Sequence, residues 1–92
     1  MKAMHNDAAS YQDFSKNFFS EMRLNIARYR KEAGLTQEGL AARTNISKGH
    51  ISKIEARNSD TIPSLETLAL IAYELGIPPY LLFMREEDWR EQ

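Results

Sequence analysis

The stretch QEGLAARTNISKGHISKI, from Gln37 to Ile54, carries two short helical patterns with a tight break between them. The break follows Asn45, a residue type that tolerates the left-handed conformation of a sharp helix exit. Ser47 is suited to begin the next helix, because its hydroxyl can accept a hydrogen bond from a free backbone amide. The small side chain of Ala41 permits close approach of the two helices. The spacing therefore predicts two helices that meet at a steep angle across a short turn, a helix-turn-helix motif.

A longer helix is predicted before this motif. Aromatic and aliphatic residues recur at three- and four-residue spacing from Tyr11 to Ala33, and Gly34 is suited to end the helix. Its early aromatics, Phe14 and Phe18 among them, are expected to pack on the C-terminal segment or on another subunit.

Two further helices are predicted after the motif. A polar loop at 57–61 precedes a fourth helix that Pro63 and Ser64 begin and Gly76 ends. The expected buried stripe of this helix consists of Leu65, Leu68, Ile71, Ala72 and Leu75. A short fifth helix is predicted at 78–83. The chain is therefore expected to be all-α.

Size and composition allow one small domain of 92 residues and exclude several kinds of site. Because the chain has no cysteine, it forms no disulfide, thiolate metal site or thiol nucleophile. No apolar run approaches the roughly 20 residues that span a bilayer, and the start of the chain lacks the apolar core of a signal peptide. A cytoplasmic location is expected, with a flexible tail at 1–10, the domain at 11–84 and an acidic tail at 85–92.

Charge is distributed unevenly along the chain, although its net charge is only −1. Residues 23–58 contain eight basic and three acidic side chains, whereas residues 59–92 contain two basic and seven acidic ones. The basic part coincides with the helix-turn-helix, as a surface that binds nucleic-acid phosphates requires. A solvated helical face is the alternative interpretation of the same charges.

The motif and its neighbours resemble the Cro/CI-type helix-turn-helix regulators, also called the XRE family. The residues that carry the likeness are Ile26, Tyr29, Arg30, Gly34-Leu35-Thr36-Gln37, Leu40-Ala41, Ile51, Ile54-Glu55, Pro63-Ser64-Leu65 and Leu68. The resemblance covers roughly residues 22 to 84 and implies a five-helix, lambda-repressor-like DNA-binding domain. Two positions depart from the family pattern: Asn45 stands where glycine is common, and Gly39 where a larger polar residue is usual.

The resemblance and the helical geometry together predict roles for the polar side chains. The expected base contacts lie on the non-core face of the third helix: Lys48, Gly49, His50, Ser52 and Lys53. The expected phosphate contacts are Gln37, Ser47, Arg57 and Asn58, with Arg43 and Arg28 as weaker candidates. Simple helix capping is the alternative role for Gln37 and Ser47. His50 has no second ligand at metal-binding spacing, so no metal is expected.

Two pairwise contacts are also predicted. By the resemblance, Arg30 and Glu55 form an ion pair that orients the third helix. The exposed side of the fifth helix is the expected contact of a homodimer, through Ile77, Tyr80, Leu81 and Phe83. The alternative is that these four residues complete the core of a monomer.

These features favour a sequence-specific regulator, a repressor or autoregulator, that binds a palindromic operator on double-stranded DNA as a homodimer. Phage-type repressors and the controller proteins of restriction–modification systems fit the resemblance equally. An antitoxin, whose acidic tail around Trp89 binds a toxin, is an alternative. An adaptor that binds only proteins is another, although its basic face would be expected to be broken. No catalytic nucleophile–base set and no phosphate-cradling glycine loop is found, so neither an enzyme nor a cofactor is expected.

Overall fold

The computed structural model describes residues 10–85, and within them the chain is all-α. α1 spans Tyr11–Glu32, α2 Gln37–Thr44, α3 Lys48–Glu55 and α4 Leu65–Leu75, and a 3₁₀ helix follows at Pro79–Phe83. The predicted fold class is thereby confirmed. The predicted tails at 1–10 and 85–92, including Trp89, lie almost entirely outside the described residues.

The fifth helix corrects the predicted helix count, because it is a 3₁₀ helix and leaves four α-helices within residues 10–85. It has five residues and begins at Pro79, which has no N–H to donate. The amide of Leu81 donates to the carbonyl of Pro78, three residues earlier, at 3.1 Å. A segment this short completes i to i+3 hydrogen bonds more readily than a full α-helical ladder.

Side-chain caps begin the four α-helices, two of them at the predicted residues Ser47 and Ser64. The four N-cap side chains each accept a hydrogen bond from the amide three residues later, and they are Ser10, Thr36, Ser47 and Ser64. At the C-terminal end of α2, Asn45 has a φ of 60°, the left-handed conformation that glycine usually provides. The departure from the family pattern at Asn45 therefore leaves the turn geometry intact.

Gly39 lies in the first turn of α2, and its amide donates to the capping hydroxyl of Thr36. A Cβ atom there would lie 3.3 Å from Cδ2 of Leu35 and 3.4 Å from Oγ1 of Thr36. A larger residue would have to displace the Leu35 side chain, so glycine fits this site despite its helix-propensity cost of about 1 kcal/mol.

The hydrophobic core lies where the helices converge. α2 packs on α3 and α4, while α1 packs on α3, α4 and the 3₁₀ helix. The fully buried apolar side chains are Met22, Ile26, Leu40, Ile51, Ile54, Ile71 and Leu82. Ala41 and Ile46, at the helix-turn-helix angle, pack half-buried against them. Each buried aliphatic side chain contributes roughly 1.5–3 kcal/mol, so this core fixes the tilt of α3.

One residue of the predicted core, Leu65, is not buried, and the aromatic start of α1 packs only in part. Leu65 is 81% exposed, because it is the first residue of α4 and the packed part of that helix begins a turn later, at Leu68. Phe14 and Phe18 on α1 remain partly exposed. The ring of Phe18 stacks on that of Phe83 with centroids 5.4 Å apart. The early part of α1 therefore packs on the C-terminal segment of its own chain, one of the two expected arrangements.

Candidate nucleic-acid interface

The face of α3 opposite the core projects its polar side chains into solvent. Ser47 caps the helix by accepting from the amide of His50 at 3.1 Å, while Ile51 and Ile54 anchor the opposite face in the core. All five residues predicted to contact bases are exposed, namely Lys48, Gly49, His50, Ser52 and Lys53. The structure thus brings them together on the outer surface of one rigidly seated helix.

Gly49 leaves space for a partner to approach α3. No atom lies within 4 Å of the position that a Cβ would occupy there. His50 is also exposed, and no group of three His, Asp or Glu side chains within residues 10–85 is placed to hold a metal ion. The first turn of α3 is therefore open to solvent at both Gly49 and His50.

Lys48 has an ion-pair partner that the sequence did not reveal. Its Nζ lies 3.5 Å from Oε1 of Glu38, in the first turn of α2, and both side chains are exposed. The pair joins the two helices of the motif at the end that α3 presents to solvent. Glu38 was missed because an acidic residue in a first helical turn is ordinarily explained by the helix dipole alone.

Arg30 and Glu55 form the predicted ion pair. Nε of Arg30 donates to Oε2 of Glu55 at 2.7 Å, and Nη2 donates to Oε1 at 3.0 Å. Arg30 also donates to the carbonyl of Leu35 at 2.7 Å. This bidentate contact ties the end of α3 to the end of α1 and to the turn before α2.

Gln37 joins the same network. Its Nε2 donates to Oε1 of Glu55 at 3.1 Å. An amide nitrogen carries two hydrogens, so this bond leaves one for an outside acceptor such as a phosphate. The Arg30–Glu55 pair therefore also fixes the orientation of the predicted phosphate ligand.

A buried arginine that sequence reasoning missed holds the other side of α3. Arg23 is only 3% exposed. Its guanidinium donates to the carbonyls of Lys53 at 3.3 Å, of Ile54 at 2.9 Å, and of Thr61 in the following loop. The C-terminal carbonyls of a helix carry partial negative charge, which favours a cation at this place. Arg23 thus joins α1, the end of α3 and the loop at 57–61.

Asn25, also on α1, performs a comparable role for the C-terminal segment. Its Nδ2 donates to the carbonyls of Leu82 at 2.9 Å and Met84 at 2.8 Å. Its Oδ1 accepts from Arg28, whose guanidinium also lies 4.8 Å from the ring centroid of Tyr29. Arg28, one of the two weaker phosphate candidates, is therefore engaged with its own helix.

The remaining predicted phosphate ligands are exposed. Arg43 lies in the last turn of α2, and Arg57 and Asn58 follow α3 directly. Arg57 and Asn58 border an open cleft against α1, and Lys16 adds a further cation to its lining. Lys16 was not predicted, because it lies in sequence far from the motif.

Comparison with known proteins identifies the fold. A helix-turn-helix family model matches residues 26–82, which is more than half of the chain. The chain belongs to the XRE-type helix-turn-helix family. The matched range includes the whole motif, α4 and most of the 3₁₀ helix, and this family places the chain among DNA-binding transcriptional regulators.

A solved structure has a similar fold. It is that of a hypothetical transcription factor, NHTF, from Neisseria, with a TM-score of 0.73 and 19% sequence identity over 97% of this chain and 95% of that one. No curated protein matches the chain. None of the helices within residues 10–85 of this helix-turn-helix protein is long and apolar enough to cross a membrane.

The predicted dimer contacts of the helix-turn-helix protein lie around the 3₁₀ helix. Tyr80 is 64% exposed, whereas Ile77, Leu81 and Phe83 are half-buried. Ile77 and Phe83 pack on the core of their own chain, and Phe83 stacks on Phe18. Tyr80 is thus the member of the predicted set with the most surface to offer a second copy.

Proposed function

We propose that this helix-turn-helix protein is a sequence-specific repressor or autoregulator that binds a palindromic operator as a homodimer. The observation that carries the proposal is the exposed polar face of α3, with a lysine near each end of the helix. The opposite face packs on the buried core, and the C-terminal end of α3 is held by Arg23 and, through Glu55, by Arg30. A recognition helix must enter the major groove as a rigid body. Each side chain that contacts a base has to be positioned within the narrow range of distances and angles that a hydrogen bond allows.

The proposed base and phosphate contacts are assigned from the positions of the side chains. Lys48, Gly49, His50, Ser52 and Lys53 read base edges, with lysines donating to guanine O6 and N7. Gln37, Ser47, Arg43, Arg57 and Asn58 hold the flanking phosphates and set the register on the duplex. A protein with this small a contact surface covers one half-site, so a two-fold dimer with half-site centres about 34 Å apart accounts for specific binding.

Selection of bound sequences from random duplexes tests the proposal. The expected result is one palindromic consensus, with an affinity that falls steeply as salt rises, because phosphate contacts release counterions. If the selected duplexes showed no consensus, the proposal of sequence-specific DNA binding would be rejected. A flat salt dependence would reject the phosphate contacts.

Lysine and arginine variants separate base reading from phosphate binding. Lys53→Ala is expected to weaken binding to the consensus by about 1–3 kcal/mol and to relax the preference at one position. Lys48→Ala is expected to relax the preference at a different position. Arg57→Ala, the matched loss of an exposed cation, is expected to weaken binding to every duplex alike and to make the salt slope shallower by about one unit. The measurement is a set of binding titrations on the consensus, its single-base variants and an unrelated duplex. Uniform losses for both lysine variants would contradict their assignment to bases.

The dimer contact has its own test. Tyr80→Glu places a charge on the exposed side of the 3₁₀ helix, so it is expected to shift a dimer to monomer and to lower the affinity for the palindrome by at least about tenfold. Tyr11→Glu, at a comparably exposed tyrosine that begins α1, is the control and is expected to leave assembly unchanged. Sedimentation at about 50 micromolar measures the oligomeric state. Monomeric wild-type protein that binds the palindrome one copy at a time would refute the dimer.

A further inference from the structure

Glu38 introduces a negative charge at the point where a DNA-binding surface ordinarily excludes one. Its carboxylate lies 3.5 Å from Nζ of Lys48, the first residue of the proposed recognition helix. Both side chains are exposed to solvent, Glu38 to 75% and Lys48 to 59%. A pair this exposed contributes little to fold stability, and the helix dipole favours an acidic residue at Glu38 without requiring Lys48 beside it, so stability does not account for the pairing of the two side chains.

The pair changes what Lys48 offers to DNA. A free ammonium is drawn to any phosphate, and each such contact adds to affinity for all sequences. An ammonium already paired with a carboxylate is close to neutral at a distance, so it has little attraction for the backbone. A phosphate that replaced the carboxylate as partner of Lys48 would also stand beside Glu38 and repel it.

A base pair satisfies both members of the ion pair at once. In the major groove, guanine presents the acceptors O6 and N7, and the cytosine paired with it presents the N4 donor. Lys48 can donate to the guanine while Glu38 accepts from the cytosine. A phosphate presents acceptors only, so it satisfies Lys48 and leaves Glu38 facing like charge.

We propose that Glu38 is a specificity-determining residue, which holds Lys48 as a neutral pair so that Lys48 gains affinity at base edges and not at phosphates. This inference rests on the proposed DNA-binding function and names a residue outside its contact set. Glu38 acts by lowering affinity for unrelated DNA and thereby widening the ratio between specific and non-specific binding.

Glu38→Gln tests the inference, since it removes the charge and keeps the size of the side chain. The freed Lys48 is expected to raise affinity for an unrelated duplex about fivefold and to steepen the salt slope by about 0.9, the value of one additional phosphate contact. Affinity for the consensus is expected to rise less, so the specificity ratio falls. In the Lys48→Ala background, Glu38→Gln is expected to leave the salt slope unchanged, because no ammonium remains to be freed.

Glu66→Gln is the matched control. Glu66 is exposed and is the second residue of α4 behind the Ser64 cap, as Glu38 is the second residue of α2 behind Thr36. Both variants therefore lose the same interaction with a helix dipole, and neither is expected to change the melting temperature by more than a few degrees. Glu66→Gln is expected to leave the salt slope and the specificity ratio as in the wild type.

The outcomes separate the inference from the proposed function. If the wild-type protein selects a consensus but Glu38→Gln changes neither the salt slope nor the ratio of specific to non-specific affinity, the inference alone is overturned. Equal gains for Glu38→Gln and Glu66→Gln would also overturn it, because they would report net charge rather than the pair with Lys48. A wild-type protein that prefers no duplex would reject the proposed function and the inference together.

Discussion

Replacing Glu55 by alanine is expected to lower the free energy of unfolding by about 3–5 kcal/mol, since it strands one member of a buried ion pair. The side chains of Arg30 and Glu55 are only 10% and 5% exposed. Without the carboxylate, the described hydrogen bonds of Arg30 reduce to the one with the Leu35 carbonyl. In a domain of this size the loss corresponds to a fall in melting temperature of on the order of 15–30 °C, which thermal denaturation followed by circular dichroism measures.

The chain offers a matched exposed pair as control. Arg28 and Glu32 lie 3.7 Å apart on α1, and the Glu32 side chain is 62% exposed. Glu32→Ala is expected to change stability by less than about 0.5 kcal/mol. The double variant Arg30→Met, Glu55→Met is expected to recover part of the loss, because no charge is left buried. A Glu55→Ala effect as small as that of Glu32→Ala would contradict the argument.

Local structure was predictable because local chemistry decides it. A hydroxyl at position 47 caps α3 wherever the rest of the chain lies, and Asn45 takes a left-handed conformation because its short polar side chain tolerates it. The spacing of Ile51 and Ile54 likewise determines which face of α3 is outward. The exposure of the predicted base-contacting residues follows from the same periodicity. Their contacts with DNA stay a prediction.

Polar contacts between residues far apart in the sequence could not be predicted from local capping chemistry and helical periodicity. Arg23 binds carbonyls 30 to 38 residues away, and Asn25 binds carbonyls 57 and 59 residues away. Helical periodicity assigns a residue to a face but does not name a backbone carbonyl on another element. One signal was present: Arg23 precedes Ile26 by three residues and Arg30 by seven, which places it on the buried stripe of α1. A charged residue on such a stripe requires partners.

Replacing Arg23 by methionine is expected to lower the free energy of unfolding by about 3 kcal/mol. Methionine retains the apolar contacts of the arginine stem, so the loss comes from the hydrogen bonds that the guanidinium made. A bond to a charged donor is worth about 1.5–3 kcal/mol, and the carbonyl of Ile54 lies where water cannot replace it. The expected fall in melting temperature is on the order of 15 °C. Arg43→Met, at an exposed arginine of α2, is the control and is expected to change stability by less than about 0.5 kcal/mol.

The position of the Arg23 contacts predicts where the structure loosens first. The guanidinium links the end of α3 to Thr61, and the intervening loop carries the proposed phosphate ligands Arg57 and Asn58. In the Arg23→Met variant, the hydrogen-bonded amides of Ser59 and Thr61 are expected to lose protection from hydrogen exchange before those in the middle of α4. Equal losses throughout the domain would show that Arg23 supports only global stability. A loss centred on the loop would instead show that α1 holds this loop, and with it the proposed phosphate ligands, in place through the buried side chain of Arg23.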